Sequence, residues 1–301
     1  MRLSACVTTM NAAQDLNACL QALWNSNVKP YAVIVSDDSP NPERQQQNRQ
    51  IVEHYPGTTY LQGPRRGVNA NRNHAVNAVS DTDLIAFVDD DVCVASDFIE
   101  KAITIYEQMS PQQQNYTFIT GNSNYGKGQE TPPTRLSFRG YYTATTEAPE
   151  CVHIHSAVFP RSFFNQEQWE EDIFFGQGDA ILCLRALRRG YRIIYCPELK
   201  VSSHRLNAPT LRDQWVGKLT NYNIHQEAAR LNIGIKRYKY LFPNYWKLIL
   251  FLIIYFSHMT IYLLRKQALR AWPLIIQRSQ MWQLLFGDAP VIPNSYFERQ
   301  L

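Results

Sequence analysis

Three adjacent carboxylates, Asp89, Asp90 and Asp91, follow directly after the apolar run Leu84–Val88. The run predicts a buried strand, and neighbouring acids repel one another where the dielectric constant is low. A cation among them would remove that repulsion, and Mg²⁺ and Mn²⁺ bind carboxylate oxygens together with substrate phosphates. Because open α/β sheets bind ligands at the carboxyl ends of their strands, the triplet predicts a metal site that holds a nucleotide diphosphate. The alternative is a solvated acidic turn, or a cap for a helix that begins near Ser96.

Strands and helices alternate along the first two-thirds of the chain. Apolar runs bounded by turn residues predict strands at Leu3–Thr9, Tyr31–Val35, Thr58–Leu61, Leu84–Val88 and Tyr191–Cys196. Apolar residues three or four positions apart predict helices at Ala13–Asn25, Arg44–Tyr55, Asn69–Val79, Ser96–Met109 and Ala180–Arg189. This alternation indicates an α/β fold with a Rossmann-like, mostly parallel sheet and helices on both faces.

The middle of the chain is less regular. Residues Gly121–Glu150 are rich in Gly, Asn, Thr and Pro and predict a loop with at most short strands. A loop of this length in a compact domain is usually functional or mobile. Further along, His153–Phe159 is apolar enough for a strand, and Leu211–Leu231 indicates a helix.

A long apolar run, Trp246–Leu264, lies in the last third of the chain, and a weaker one, Trp272–Phe286, follows it. The first run is of borderline length for one membrane crossing, and the Tyr, Trp, Lys and Arg at its ends are typical of anchoring at a membrane interface. Three interpretations stay open: a transmembrane helix, a helix lying in the interface, and a buried or dimer-forming helix. Basic residues flank both sides, so charge indicates no orientation.

Composition limits the class of protein. The 301 residues are 45% hydrophobic and 19% charged, which suits a packed core and argues against global disorder. A net charge of +4 does not indicate nucleic-acid binding. The six cysteines are scattered without a CxxC pair or zinc-ligand spacing, as in proteins of a reducing cytoplasm. Because Met1 leads straight into a strand with no signal-like stretch, we expect the N-terminal domain to stay on the side where it was made.

Five further motifs occur in order around the acidic triplet. They are Val7–Asn11 at a strand end, Ile34–Ser39 with two acids, Gly67–Asn73 and Trp169–Asp179 at helix starts, and Val201–His204 after a strand. Each alone has a plainer explanation as a turn or a helix cap. Together, over about residues 3 to 205, they resemble the family-2, GT-A type glycosyltransferases, inverting enzymes with nucleotide-sugar donors. The resemblance implies a GT-A fold and Mn²⁺ or Mg²⁺ as cofactor.

The resemblance also implies residues that bind the donor nucleotide. Thr9 and Asn11 would border the base, and Asp37 or Asp38 would accept a hydrogen bond from it, Asp38 being the preferred residue. An ionised carboxylate only accepts, so it selects an imide N–H such as that of uracil or thymine. UDP is therefore preferred, while dTDP and GDP stay open. Arg72 would contact the base or the diphosphate.

In the same pattern the acidic triplet is divided between sugar and metal. Asp89 would lie on the sugar side and within reach of the metal, Asp90 near the ribose, and Asp91 on the metal. His204 would complete the metal shell, and imidazole suits Mn²⁺ more readily than Mg²⁺. A purely structural histidine is the alternative.

The Trp169–Asp179 motif would supply the catalytic base. Asp179 is expected to take the proton from the acceptor hydroxyl in an inverting transfer, although a carboxylate in a first helical turn is also a good cap. Asp172 and Glu171 are the alternative residues. The family usually has Glu before this Asp, and Gly178 departs from that pattern.

We therefore expect a GT-A domain over residues 1–210 and a helical, membrane-associated region over 211–301. The expected function is metal-dependent transfer of a sugar, with inversion, from a nucleotide-diphosphate donor to a hydroxyl of a glycan or lipid-linked acceptor. Its setting would be cell-surface polysaccharide assembly at the cytoplasmic face of the membrane. Gly178 motivates an alternative, a catalytically silent module that binds nucleotide or glycan. A nucleotidyltransferase is less well supported, because Thr8–Gln14 has no Gly, Lys or Arg for a phosphate loop.

Overall fold

The computed structural model describes residues 1–124, 130–203 and 215–287. Its strands are β1 (Leu3–Thr9), β2 (Val33–Asp37), β3 (Thr58–Gln62), β4 (Leu84–Asp89), β5 (Val92–Val94), β6 (Thr117–Asn124), β7 (Glu130–Thr131), β8 (Thr134–Leu136), β9 (Tyr142–Ala144), β10 (Ala157–Pro160), β11 (Arg192–Ser203), β12 (Trp215–Val216) and β13 (Leu219–Thr220). Nine of them form one sheet in the order β3-β2-β1-β4-β10-β6-β11-β5, with β7 beside β6. The pairs β8–β9 and β12–β13 are separate hairpins.

Most strands of the large sheet run in one direction. β3, β2, β1 and β4 pair in parallel, and β6 pairs in parallel with β11. Since β10 is antiparallel to both β4 and β6, these six strands share one direction, and β10, β5 and β7 oppose them. The predicted α/β fold with a mostly parallel sheet is confirmed.

Helices lie on both sides of this sheet. They are α1 (Ala13–Trp24), α2 (Pro42–Glu53), α3 (Val68–Asn77), α4 (Phe98–Glu107), α5 (Pro111–Tyr116), α6 (Gly178–Arg188), α7 (Asn221–Lys236), α8 (Tyr245–Arg265), α9 (Trp272–Arg278) and α10 (Met281–Phe286), with 3₁₀ turns at Ile154–Ser156, Arg161–Asn165 and Leu269–Ala271 and a π turn at Arg237–Leu241. Successive side chains of a strand point to opposite faces. In β4, Leu84, Ala86 and Val88 therefore join the core under α1 and α4, while Ile85 and Phe87 join the core under α3 and α6.

The middle of the chain differs from the sequence prediction. The segment 121–150, predicted as a loop with at most short strands, contains the short strands β7, β8 and β9 and also the end of the longer strand β6. His153–Phe159 is a strand only from Ala157, because a 3₁₀ turn precedes it. β11 continues past Pro197 to Ser203, since its pairing with β6 shifts register between Tyr195 and Lys200. A proline is tolerated at such an irregularity because no ladder N–H is needed there.

The C-terminal helices build an apolar cluster of their own. The helix predicted from Leu211 begins at Asn221 instead, where Thr220 and Asn223 form a capping box, and residues 204–214 lie outside the described ranges. α8 covers the predicted apolar run, and one of its faces packs into the cluster through Leu248, Phe251, Tyr255, Met259 and Leu263. The domain boundary predicted at residue 210 falls among the undescribed residues and stays a prediction.

Among the described helices, α8 alone is long and apolar enough to cross a membrane, judged by length and composition only. Core helices of soluble proteins pass the same criterion, so the criterion does not decide among the three interpretations of this run.

Candidate active site

The carboxyl ends of β1, β2 and β4 meet at one edge of the sheet. Thr9 pairs in register with Asp37, and Thr8 with Asp89. Parallel strands end at the same edge, so the polar residues that follow them gather there. The structure therefore brings the residues predicted to bind the donor onto three adjacent strands and the turns after them, except for Arg72, which lies on α3.

Asp89 is held by three neighbouring side chains. Arg72 donates to Asp89 Oδ1 at 3.0 Å, Thr8 donates to the same oxygen at 3.3 Å, and His155 Nδ1 lies 3.6 Å from Oδ2. Burial opposes the charge on this carboxyl, but Arg72 and His155 outweigh burial and hold the pKa of Asp89 at about 2. Asp89 is therefore ionised at neutral pH and oriented by a cation of α3.

Arg72 is itself fixed by an aromatic contact. Its guanidinium lies over the ring of Trp169, 4.9 Å from the centroid, and its side chain is buried. A desolvated cation over an indole is well stabilised. α3 follows Gly67, whose φ of 101° suits glycine and where a Cβ would lie 2.7 Å from the carbonyl oxygen of Phe174.

Asp90 and Asp91 place two further carboxyl groups at the same edge. The Met10 N–H donates to Asp90 Oδ2 at 3.4 Å, and Asp91 is buried between β4 and β5. Burial, together with the charges of Asp89 and Asp91, raises the pKa of Asp90 to about 8, although Thr9 favours its charged form. Such repulsion among oxygen donors fits a hard divalent cation.

A complete metal cage is nevertheless absent from the described residues, since no three His, Cys, Asp or Glu side chains are arranged to hold an ion there. Mg²⁺-type sites commonly take one or two carboxylates and complete their shell with water and substrate phosphate. The triplet suits that type of site. His204, the predicted imidazole ligand, lies outside the described residues.

Asp37 and Asp38 are adjacent but have different surroundings. Asp37 is fully buried and accepts from the Ser39 N–H (2.8 Å), Asn48 Nδ2 (2.9 Å) and the Tyr60 hydroxyl (2.8 Å). Both of its oxygens are thus engaged within the protein. Asp38 accepts from the Arg65 N–H at 2.9 Å through Oδ1, and burial raises its pKa. Of the two, Asp38 keeps more capacity to accept from a ligand.

Asn11 connects the turn after β1 to the turn after β2. Its φ of 58° is left-handed, which asparagine tolerates better than most residues, and its N–H donates to Ser39 Oγ at 2.8 Å. Thr9, at the end of β1, is buried beside the acidic edge. Both predicted base-contacting residues therefore border the same cleft edge as Asp38.

Asp179 lies in the first turn of α6, where the Tyr142 hydroxyl donates to its Oδ1 at 2.6 Å. The start of α6 packs closely against α3. A Cβ atom added to Gly178 would lie only 2.4 Å from Asn69 Oδ1. Asn69 and Arg72 are three residues apart on α3 and so share one face of that helix. α3 therefore connects the segment that carries Asp179 to the acidic edge.

The departure at Gly178 has a local steric reason. Asn69 Nδ2 donates to the carbonyl oxygen of Glu170 at 2.8 Å, which holds the asparagine against position 178. A glutamate in place of Gly178 would displace that side chain. Glycine at 178 is thus the residue that this packing requires.

The two alternative base residues are engaged elsewhere. Glu171 accepts from Asn73 Nδ2 at 2.9 Å and pairs with Arg66 at 3.0 Å. Asp172 pairs with Lys236 of α7 at 2.7 Å, while burial raises its pKa. Asp179 differs from both because its described contact is a neutral hydroxyl rather than a cation.

The sequence model of one family, described as Glycosyl transferase family 2, matches residues 4–167, more than half of the chain. The chain belongs to this family. The predicted family of glycosyltransferases is confirmed, and the match includes the acidic edge, Asp38 and Arg72 but ends before Asp179.

Solved structures show the same fold. The chain resembles S. aureus TarS 1–349 in complex with UDP-GlcNAc at 17% identity and a TM-score of 0.63, covering 94% of this chain and 81% of that one. It resembles S. aureus TarS at 14% identity and a TM-score of 0.56, covering 85% of this chain but 43% of that one. GalNAc-T7 with UDP, GalNAc and Mn²⁺ matches at 10% identity and a TM-score of 0.56, covering 84% of this chain and 55% of that one. No curated protein matches the sequence significantly.

Sequence reasoning missed four residues of the candidate site: His155 beside Asp89, Trp169 under Arg72, Tyr142 on Asp179, and Lys236 on Asp172. Trp169 stands at the start of a recognised motif, so its position was a usable signal. The other three come from the irregular middle and from α7, where no local pattern indicates which acid they contact.

Proposed function

We propose that this protein is a metal-dependent, inverting glycosyltransferase that moves a sugar from a UDP-sugar to a hydroxyl of a glycan or lipid-linked acceptor. UDP is favoured over dTDP and GDP because the TarS and GalNAc-T7 structures hold UDP or a UDP-sugar. Assembly of a cell-surface polysaccharide is the setting that we infer for this reaction. The six cysteines form no disulfide among the described residues, which supports a reducing, cytoplasmic location.

The observation that carries the proposal is the convergence at the carboxyl edge of β1, β2 and β4. Asp38 supplies an acceptor for an imide N–H of the base. Asp38 follows β2 and the acidic triplet follows β4, so β1 lies between them. Neighbouring strands are about 5 Å apart. Arg72 of α3 lies at the β4 side of this span, where it pairs with Asp89. That separation suits a nucleotide lying across the strand ends, with its base near Asp38 and its diphosphate near Asp89–Asp91.

Asp91 and Asp89 are the residues of this edge that would hold Mn²⁺ or Mg²⁺, with His204 as a further proposed ligand. GalNAc-T7 was crystallised with Mn²⁺. A bound divalent ion would neutralise the departing diphosphate. Arg72 places a guanidinium at the same edge, held by its ion pair with Asp89 and by the ring of Trp169.

Asp179 is the residue that we propose as catalytic base. It is partly exposed at the start of α6. The start of α6 packs against Asn69 of α3, and Arg72, about one helical turn further along α3, contacts the acidic edge. A base on the acceptor side takes the proton from the attacking hydroxyl while the diphosphate leaves on the other side, so configuration inverts. Tyr142 orients the Asp179 carboxylate through its 2.6 Å hydrogen bond.

Nucleotide binding tests the donor half of the proposal. Titration calorimetry with UDP, dTDP and GDP, with and without Mn²⁺, is expected to show Mn²⁺-dependent binding of UDP. Asp91→Ala should weaken that binding at least about tenfold, because charge-assisted ligands of the ion are lost. Glu53→Ala, which removes an exposed carboxylate of α2, is the matched control and should bind as the unmodified protein does. Failure of all three nucleotides to bind would refute the donor site.

Turnover tests the acceptor half. Asp179→Asn is expected to lower the rate of sugar transfer by about 10²–10⁴-fold, while UDP affinity stays unchanged. Glu171→Gln, a substitution in the same motif, should lower the rate of sugar transfer far less. If Asp179→Asn transfers sugar at the normal rate, Asp179 is not the base. If the unmodified protein binds UDP-sugar but turns over no donor with glycan or lipid-linked acceptors, the silent-module alternative holds.

A further inference from the structure

α8 has two apolar faces, and only one of them is used by the protein. Opposite the buried face, a second row of residues three or four positions apart is exposed: Trp246, Ile249, Leu250, Ile253, Ser257, Thr260, Ile261 and Leu264. We call this row the α8 stripe. Six of its eight residues are large and apolar, and none is charged. A contiguous exposed row of this kind indicates an interaction surface rather than scattered surface residues.

The chain around the α8 stripe carries positive charge only. Residues 237–287 contain seven Lys and Arg and no Asp or Glu, whereas the whole chain has a net charge of +4. Lys247 and Arg265 lie at the two ends of α8. An apolar surface framed by aromatic and basic residues complements an anionic lipid surface, where interfacial tryptophans and cations are stabilised.

The buried face of α8 carries charged groups that bear on how the helix could meet such a surface. At its midpoint, the Tyr255 hydroxyl donates to the carbonyl oxygen of Glu227, and the Arg230 guanidinium stacks over the Tyr255 ring at 4.5 Å. Arg230 also forms an ion pair with Glu227. If α8 crossed a bilayer, this ion pair would lie at the centre of the hydrocarbon, where charged groups are costly. If α8 lies parallel to the membrane surface, the Arg230–Glu227 ion pair stays on the side of α8 that faces the protein, outside the hydrocarbon.

A cavity adjoins the amino end of α8. It has a volume of about 660 Å³, and its polar lining includes Arg188, Arg237 and Lys247 against a single acid, Glu150. Phe242 and Tyr238 contribute apolar walls beside these cations. The cavity offers room and positive charge for the phosphate of a lipid headgroup at the level where Trp246 meets the surface.

We propose that the α8 stripe is the surface by which the protein lies on an anionic phospholipid bilayer, with α8 in the plane of the interface rather than across the membrane. The cavity beside Lys247 receives a lipid phosphate. The inference goes beyond the proposed function by assigning a membrane-binding surface, and it does not depend on sugar transfer.

Flotation with vesicles tests the surface. The full chain is expected to float with vesicles that contain phosphatidylglycerol and much less with phosphatidylcholine alone. Leu250→Glu and Ile253→Glu should each lower the vesicle partition coefficient at least about tenfold, the effect of withdrawing one large apolar side chain from the interface. Val28→Glu, an exposed apolar residue of the α/β half, should leave partition unchanged. Circular dichroism and UDP affinity without vesicles identify any variant that fails to fold.

Depth measurements test the orientation. Nitroxide labels at Ile249, Ser257 and Leu264, introduced one at a time as cysteine in a Cys93→Ser chain, should lie at one common shallow depth. A deep Ser257 between two shallow ends would show a spanning helix and overturn the proposal. The proposal would also be overturned if the full chain floated with neither type of vesicle. In either case UDP binding is measured separately, so failure of the membrane geometry is distinguishable from failure of the donor site.

Discussion

At the scale of residues, neighbouring acids differ in what they are free to bind. Asp37 uses both oxygens on three donors of its own turn, whereas the described residues supply Asp38 with one backbone N–H. The Asp-Asp pair of the motif therefore combines an anchor with an acceptor. The family resemblance already favoured Asp38 as the acceptor, but local sequence could not indicate that Asp37 is an anchor, because Tyr60 arrives from the next strand.

The two acids should respond differently to substitution. Asp37→Ala leaves three donors without their acceptor, two of them from buried side chains or backbone, and should lower the free energy of unfolding by about 3 kcal/mol or more. Asp38→Asn can still accept from the Arg65 N–H but places an NH₂ where the base N–H would bind. It should weaken UDP at least about tenfold with little loss of stability. Urea unfolding and calorimetry measure the two effects, and a stable Asp37→Ala would contradict the anchor role.

At the scale of elements, α3 is the connection between the two halves of the candidate site. Arg72 faces Asp89 on β4, Asn69 packs against Gly178 at the start of α6, and Asn73 exchanges hydrogen bonds with the backbone of Trp169. One helix face therefore positions both the acidic edge and the segment that leads to Asp179. Close contact between α3 and α6 depends on the absence of a side chain at 178.

Gly178 and Asn69 should be energetically coupled. Gly178→Ala forces the asparagine to move and should cost about 1–3 kcal/mol, the usual penalty for overpacking. Asn69→Ala removes both the obstacle and the bond to Glu170, so it should be destabilising alone yet recover part of the loss when combined with Gly178→Ala. A double-mutant cycle by urea unfolding measures this coupling. Strict additivity of the two changes would show that the contact does not constrain position 178.

At the scale of the whole molecule, the C-terminal helices are joined to the α/β half by ion pairs of the buried Lys236. Lys236 of α7 is 3% exposed and pairs with Asp172 at 2.7 Å and Glu170 at 3.2 Å, and Glu170 pairs in turn with Arg185 of α6. Lys236 and Arg185 hold the pKa of Glu170 below its ordinary value despite burial. The surface-facing helices are therefore connected directly to the segment that precedes Asp179.

Removing the Lys236 cation, which Asp172 and Glu170 share, should lower the stability of the protein. Lys236→Met leaves two partly exposed acids with less compensation and should lower the free energy of unfolding by about 1–3 kcal/mol. Adding Asp172→Asn removes one of those charges and should restore part of the stability. Lys218→Met, at an exposed lysine near α7, is the control and should change little. Equal stability of Lys236→Met and the unmodified chain, measured by urea unfolding, would contradict the link.

Much of the α/β half was predictable because its signals are local. Strands buried on both faces read as continuous apolar runs, and polar residues that follow them mark the edge where parallel strands end. β11 was predicted too short, since pairing with β6, which is distant in the chain, stabilises the extended backbone past Pro197. The short strands within 121–150 pair with neighbours close in the chain, β7 with β6 and β9 with β8.

The sequence by itself determined the family, the sheet and the acidic edge, because each depends on residue type and spacing within a few positions. Only the tertiary structure decided that Asp37 is an anchor, that Tyr142 meets Asp179, and that Gly178 lies against Asn69. It also decided that one apolar face of α8 is used inside the protein and the other is not. These outcomes depend on groups far apart in the chain, whose meeting is set by packing rather than by any local pattern.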